Sequence, residues 1–342
     1  MQMFVRVSLL VVAFAVSTFL AFSGNVNATE KSTIKLRYSN FFPPTHPIGM
    51  LGDEFCKEIE KRTDGKVKIT YFPGNTLTPP NQTYDSVSKG IADMGQSLLA
   101  YTAGRFPLTD VIDYPLGYTS GLQATMLINE YYKKFKPAEL NDTHVLYLHG
   151  HGPGYFSTKK EVSKMADVEG LRIKANGTNA EMAILLKATP VTITMPETYD
   201  ALSKGLLDGV LLPIEGVKNW GYSDFLKYTL KNFGCTYTSG MFVTMNKKRW
   251  ESLSPDIQKV FTEVSEEWAK KQGELWNKLD KEAEEALVNS GYKMVIASPE
   301  EQAAAKEKVK PLFVQYIQKM KEKNLPGDEV VKFCTDYIAA HP

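Results

Sequence analysis

The densest group of chemically capable residues is a short glycine-rich run. His149 and His151 flank Gly150, with Gly152, Pro153 and Gly154 behind them. Two histidines can begin a metal site, but such sites take three protein ligands or more, and no further ligand stands at metal-site spacing. Gly150 to Gly154 resembles a phosphate loop only in its glycines, because the lysine and the helix opening are missing. The run therefore reads as a flexible crossover between two parts of the fold. A serine nucleophile needs a base and an acid beside it, and the chain holds no Gly-x-Ser-x-Gly or comparable signature. Asp85 and Asp200 occupy matching places in two copies of one motif. Acid–base pairs work because their surroundings differ, so these two read as supports for a helix or loop. Cys56, Cys235 and Cys334 lack metal-site spacing. Their odd number leaves at least one thiol free, and buried thiols with or without one disulfide are expected.

The aromatic residues point to binding instead. Phe41, Phe42, Tyr101, Trp220, Tyr222, Tyr237 and Phe242 fall in or beside segments joining the expected elements, where pockets draw their walls. The elements come in duplicate. Thr83-Tyr84-Asp85-Ser86-Val87-Ser88-Lys89-Gly90-Ile91-Ala92-Asp93 returns as Thr198-Tyr199-Asp200-Ala201-Leu202-Ser203-Lys204-Gly205-Leu206-Leu207-Asp208, with four substitutions. Each copy follows a strand-like run, 67–72 or 191–195, and precedes an apolar one, 94–99 or 209–214. Two such β-α-β units imply two similar lobes and a cleft between them for a small molecule. Ile34 to Tyr38 alternates like a first strand, and helical spacing covers 49–62. Asp64-Gly65 turns the chain into the second strand, and Gly90 suits a helix C-cap. Further helices are predicted over 121–135, 179–187, 255–288 and 299–323, the 255–288 helix reaching across both lobes. Strands are predicted over 145–148, out of the turn at 168–174, and over 235–245. The alternation gives an α/β protein with mostly parallel sheets, whose ligands collect outside the carboxyl ends of the strands.

Met1 to Ala28 reads as a cleaved secretory signal: Arg6, then an uncharged apolar run from Val7 to Phe22, then Val26-Asn27-Ala28 at a cleavage-like site. The run is shorter than the roughly 20 residues of a spanning helix. No cysteine follows it, so a lipoprotein is not expected, and the mature chain should begin near Thr29 in the periplasm. Cleavage leaves 342 − 28 = 314 residues, enough for two domains. Loss of Arg6 takes Lys+Arg from 40 to 39, against 39 Asp+Glu. No basic stripe argues for nucleic acid, and no later apolar run is long enough to cross a membrane.

Several segments together resemble the DctP-type solute-binding proteins of TRAP (tripartite ATP-independent periplasmic) transporters, over nearly the whole mature chain. They are Tyr71 to Leu77, Gly90 to Met94, Gly104-Arg105-Phe106-Pro107, Gly170-Leu171-Arg172-Ile173-Lys174, Tyr199 to Leu202, Asp208-Gly209 and Lys247 to Trp250. The resemblance implies a two-lobed periplasmic binding protein fold of the α/β class, with a long helix spanning both lobes. Lobe I would be 29–150 with part of 236–262, and lobe II 151–235 with part of 263–342, hinged near 149–154 and 235–245. It implies closure on a small organic anion and delivery to a small and a large membrane subunit for ion-gradient-driven uptake. No cofactor, metal or catalysis is implied, and a monomer is expected.

The family's ligand-clamping arginine corresponds to Lys174, which keeps the charge without the two-pronged fork. A second arginine of the family falls near Gly154, and a frequent asparagine is Leu212. The first-lobe counterpart reads Ser97-Leu98-Leu99. Fewer polar groups imply a more apolar or unusually small pocket. Lys174 is the expected anion contact, and Arg105 is either an assistant or structural. Ser97, Asn176 and Glu215 would orient polar substituents. Phe42, His46, Leu98, Tyr101, Met195, Leu212, Trp220 and Phe242 complete the expected site. The ligand would be a monocarboxylate, a 2-oxo acid, an aromatic or branched acid, or a small sulfonate. The alternatives are a secreted ligand sensor and a cleft enzyme acting on an organic acid.

Overall fold

The computed structural model of the protein describes residues 33–342. The expected signal at 1–28 lies outside the described residues. Two sheets carry the fold. In the first, β1 (Ile34–Asn40), β2 (Val67–Phe72) and β3 (Met94–Leu98) run parallel in the order β2-β1-β3. β4 (Thr143–Gly150) forms the far edge, separated from β3 by an antiparallel strand from late in the chain, 240–246. In the second sheet, β5 (Tyr155–Thr158) precedes β6 (Arg172–Lys174), β7 (Thr189–Val191) and β8 (Gly209–Leu212), which repeat the parallel order as β7-β6-β8. β9 (Tyr228–Lys231) pairs with β5, β10 (Gly240–Asn246) is the strand returned to the first sheet, and β11 (Lys293–Ile296) extends the second sheet beside β9.

The duplicated motif thus marks a duplicated β-α-β-α-β unit. Its helices are α1 (Pro47–Arg62) and α2 (Thr83–Ser88) in one lobe, and, after α3 (Gly121–Phe135), α4 (Thr178–Leu185) and α5 (Met195–Ser203) in the other. The aspartate closing each motif copy explains part of its sequence. Asp93 Oδ2 accepts the backbone N–H of Arg37 at 2.8 Å and its Nε–H at 3.2 Å. Asp208 Oδ2 does the same for Arg172, at 2.9 Å for both bonds. Each aspartate therefore clasps the central strand of its unit from the start of the neighbouring strand. Gly90 and Gly205 follow α2 and α5 with φ of +76° and +71°, the left-handed turn that ends a helix most cheaply with glycine.

After α6 (Ile214–Asn219) and α7 (Lys247–Glu251), α8 (Pro255–Asn289) runs 35 residues, roughly 50 Å. It packs on α1, α3 and β4 of one lobe and on α6 and β11 of the other. Trp268 Nε1 donates to Leu51 O at 3.0 Å on α1. At the start of α6, Glu215 N–H donates to Asp280 Oδ1 at 3.0 Å. α9 (Pro299–Glu322) lies against α4, and α10 (Gly327–Ala340) against α3.

Three expectations are corrected. The run 191–195 is not a strand. β7 stops at Val191, and Thr194 caps α5 in a reciprocal bond with Glu197, whose carboxylate accepts the Thr194 N–H at 2.7 Å. The segment 235–245 is not strand throughout, since Phe233–Cys235 is a 3₁₀ turn and β10 begins at Gly240. The glycine-rich run is buried and tightly packed rather than loose. Gly152 abuts the Asp280 carboxylate and Gly154 the Tyr237 ring, with no room for a Cβ at either. All three cysteines are buried and free.

Candidate ligand-binding site

A buried cavity of ≈ 30 Å³ lies between the carboxyl ends of the parallel strands of the two sheets, where α/β sheets hold ligands. Phe41, Phe42, Leu98 and Met241 line it from the first sheet. Lys174, Asn176, Asn179, Met195, Leu212, Glu215 and Trp220 line it from the second lobe. His151, Tyr237 and Ser239 reach it from the crossovers, and Trp276 from α8. A larger surface groove of ≈ 770 Å³ runs beside α8, but Lys231 on its wall is already paired with Glu284 at 2.8 Å. The buried cavity differs in having polar atoms without partners.

Lys174 ends β6 and is 3% exposed. Among the described residues no ion pair or hydrogen bond engages its ammonium, and burial alone pushes its pKa down from 10.5 to about 7. Asn176 Oδ1, Asn179 Oδ1 and Trp220 Nε1 are buried with no protein partner. Nearly all buried polar groups in folded proteins are hydrogen-bonded, so such a concentration around one cavity makes it the candidate site.

His151 Nδ1 lies 2.6 Å from Gly152 O. A carbonyl only accepts, so Nδ1 carries the proton and Nε2 is left as an acceptor. Burial pushes the His151 pKa down to about 4; the Gly152 bond and Glu215 oppose that shift and Lys174 adds to it. The ring is therefore neutral at pH 7. Glu215 Oε2 lies 3.2 Å from His46 Nε2, off the line of a hydrogen bond, and accepts from Asn219 Nδ2 at 3.2 Å. His46 is itself fixed as the cap of α1, its Nδ1 accepting the Ile48 N–H at 3.2 Å.

The first-lobe wall is set by Asn40, the last residue of β1. Its Oδ1 accepts the Phe42 N–H at 3.0 Å, while its Nδ2 donates to Tyr71 Oη and Gln96 Oε1, both at 2.8 Å. This bends the chain so that Phe41 and Phe42 face the second lobe. Trp220 stacks on Phe41, centroids 6.3 Å apart at 16°, and tilts over Phe42 at 6.0 Å. Trp276 closes on Phe42 from α8, also at 6.0 Å. Tyr101 Oη accepts the Met195 N–H at 2.9 Å, a direct bond between lobes. The arrangement offers an ammonium and an indole N–H to an anion, and rings to an apolar body.

Of the expected site residues, Phe42, Leu98, Lys174, Asn176, Met195, Leu212, Glu215 and Trp220 meet at the cavity. His46 and Tyr101 stand behind it, His46 beside Glu215 and Tyr101 bonded to the Met195 backbone. Three lie elsewhere. Arg105 pairs with Asp142 and, at 3.8 Å, with Asp85, its guanidinium 5.2 Å over the Tyr84 ring. Ser97 and Phe242 alternate with Leu98 and Met241 and so face away from the cavity. Ser97 Oγ donates to Pro80 O at 2.7 Å, and Phe242 packs edge-on to Tyr84 at 5.3 Å. Asn179, Ser239, Met241 and Trp276 went unnoticed in the sequence. Asn179 had a signal: it is a polar residue in the first helical turn after a parallel strand, where ligands collect.

Residues 38–319 match the model of the bacterial extracellular solute-binding proteins, family 7, DctP. The chain belongs to the DctP family. Members of this family are solute-binding receptors, not enzymes. The fold is shared with a TRAP periplasmic solute-binding protein from Desulfovibrio salexigens, at 30% identity and TM-score 0.80, covering 90% of this chain and 96% of that one. It is shared with a marine-metagenome TRAP solute-binding protein specific for aromatic acid ligands, in complex with metahydroxyphenylacetate, at 26% identity and TM-score 0.86, covering 90% and 99%. A third such protein, from Rhodoferax ferrireducens in complex with copurified benzoate, matches at 26% identity and TM-score 0.85, covering 90% and 98%. This DctP-family chain is thus a TRAP-type extracytoplasmic solute-binding protein in the two-lobed α/β fold. Among its described residues no helix is long and apolar enough to cross a membrane.

Proposed function

We propose that this DctP-family protein captures a compact monocarboxylate with an apolar, preferably aromatic, body. The observation that carries this reading is the unpaired, buried ammonium of Lys174 at a cavity otherwise walled by Phe41, Phe42, Trp220 and Trp276. A cavity of ≈ 30 Å³ is little larger than the about 10–15 Å³ one water needs, which favours a short or flat acid over an extended sugar acid. The similarity to proteins holding metahydroxyphenylacetate and benzoate supports the same class. Lysine supplies a point charge where arginine would impose a planar fork, so the acid group is held by charge and by the Trp220 N–H.

The acid meets Lys174 on lobe II and rings on lobe I, so it stabilises the closed form preferentially. Closure turns on the two crossovers near 149–154 and 235–245, with lobe I formed by 29–150 and part of 236–262. The protein acts as a periplasmic monomer after signal cleavage, delivers its acid to a small and a large TRAP membrane subunit, and performs no catalysis. Mass spectrometry of the compound released by denaturing the purified protein tests the reading. A small carboxylic acid is expected, with calorimetry showing at least a roughly 30-fold loss of its affinity in Lys174→Ala. Release of a neutral solute would sink it.

A further inference from the structure

We propose that the ligand carries a hydrogen-bond donor, a hydroxyl or an ammonium, in addition to its acid group, and that Glu215 and His151 receive that donor. The inference rests on the carboxylate reading above and narrows it. A pocket for a plain anion gains nothing from a carboxylate in its wall, since like charges repel. Yet Glu215 lines this cavity and is 3% exposed. Its Oε2 accepts from Asn219 and faces His46 Nε2 at 3.2 Å, while among the described residues no protein group donates to Oε1. His151 Nε2 is a second acceptor in the same state, because Nδ1 spends the ring's proton on Gly152 O. Asn176 Oδ1 and Asn179 Oδ1 add two buried acceptors without partners.

The acid pole and the acceptor pole are separate. Lys174 and Glu215 line the same cavity, yet among the described residues no carboxylate, Glu215 included, stands within ion-pair distance of the ammonium. His151 lines the cavity together with Lys174 and Glu215. A ligand with an acid at one end and a donor at the other satisfies both poles. An acid without a donor leaves the acceptors buried and unpaired, and a site built to bond a substrate O–H or N–H rejects analogues that lack it.

Phenylacetate, 3-hydroxyphenylacetate, mandelate and phenylglycine share one skeleton and differ in donor. Titrated calorimetrically into the purified protein, the best donor-bearing compound is expected to bind about 10- to 100-fold more tightly than phenylacetate. Mandelate against phenylglycine separates hydroxyl from ammonium. In Glu215→Gln the gap should shrink, chiefly because phenylacetate gains affinity. Phenylacetate binding as well as the best of the others overturns the proposal, and the wild-type series decides this without any variant. A gap untouched in both Glu215→Gln and Glu215→Ala also overturns it. Binding of none of the four, or binding indifferent to Lys174→Met, overturns the carboxylate reading and this refinement together. Binding through Lys174 with no donor preference overturns the refinement alone.

Discussion

The two β-α-β-α-β units share a strand order, an aspartate–arginine clasp and a left-handed glycine after the repeat helix, yet their strands end in opposite chemistry. At and beyond the ends of β1 and β3 in the first unit stand Phe41, Phe42 and Leu98. At and beyond the ends of β6 and β8 in the second stand Lys174, Asn176 and Glu215. The shared features lie where a parallel sheet needs them. The divergent ones lie at strand ends and loops, which a sheet tolerates in any composition. On the proposed reading, the second lobe fixes the charged group, and the first adds the phenylalanines that close over the apolar Met195, Leu212 and Trp220 of the second.

The sharpest way to break this division of labour is to remove the charge. Lys174→Ala should weaken acid binding by about 2–5 kcal/mol, at least 30-fold by calorimetry. An equal loss on removing any first-lobe group would refute a one-sided anchor.

The duplicated clasp can be probed next, by stability. Asp93 is 3% exposed and also takes Arg249 Nε at 2.8 Å, whereas the Asp208 side chain is 33% exposed and, among the described residues, pairs with no arginine but Arg172. Asp93→Ala should cost about 2–3 kcal/mol and Asp208→Ala about 1 kcal/mol or less in urea unfolding. Equal costs would mean that the two copies bear equal load.

A third test uses pH. The Lys174 pKa of about 7 lies below the 10.5 of a free lysine. Between these values the unfolded chain holds more protons at this site than the empty folded protein, so the site's contribution to stability rises with pH across that window. A bound anion restores the proton. Affinity should therefore fall as pH climbs above about 7, by up to about tenfold per unit. Calorimetry in buffers of different ionisation enthalpy should show proton uptake. Lys174→Arg should flatten the profile, since guanidinium stays charged.

Smaller effects belong to the apolar lobe. Phe42→Ala should lower affinity for all acids alike, by about tenfold, and leave the preference among them unchanged. A change in preference would give lobe I a role in reading the ligand. Arg105→Ala should leave affinity unchanged and cost about 1 kcal/mol or less in stability, as an exposed ion pair with a ring contact does.

Much of the framework is readable from the chain because sheets and helices are written in local periodicity. β1 alternates Leu36 and Tyr38 inward, and α8 carries Trp268, Trp276 and Leu279 on its buried face. Where local pattern failed, a capping interaction prevailed, as at Thr194, whose bond with Glu197 starts a helix inside a β-branched run. Lys174 was legible through its place in a motif. His151 drew attention as a metal candidate, but its tautomer depends on Gly152 O, a contact that only the folded chain makes. Trp276 and Ser239 come from segments far from the motifs, and nothing local says which face of α8 meets the cleft. Arg105 shows the reverse error: a charged residue in a family segment serves Asp142, Asp85 and Tyr84 instead.

The most direct measurement is a titration, at pH 6.5, of the compound released from the purified protein into wild type and Lys174→Met. The second-lobe anchor predicts that the compound is a carboxylic acid, that it binds wild type saturably, and that the variant shows no measurable binding. The variant should also melt no lower than the empty wild type, because it loses a buried, unpaired charge. A variant that binds the compound as tightly as wild type would contradict the assignment of the acid group to Lys174.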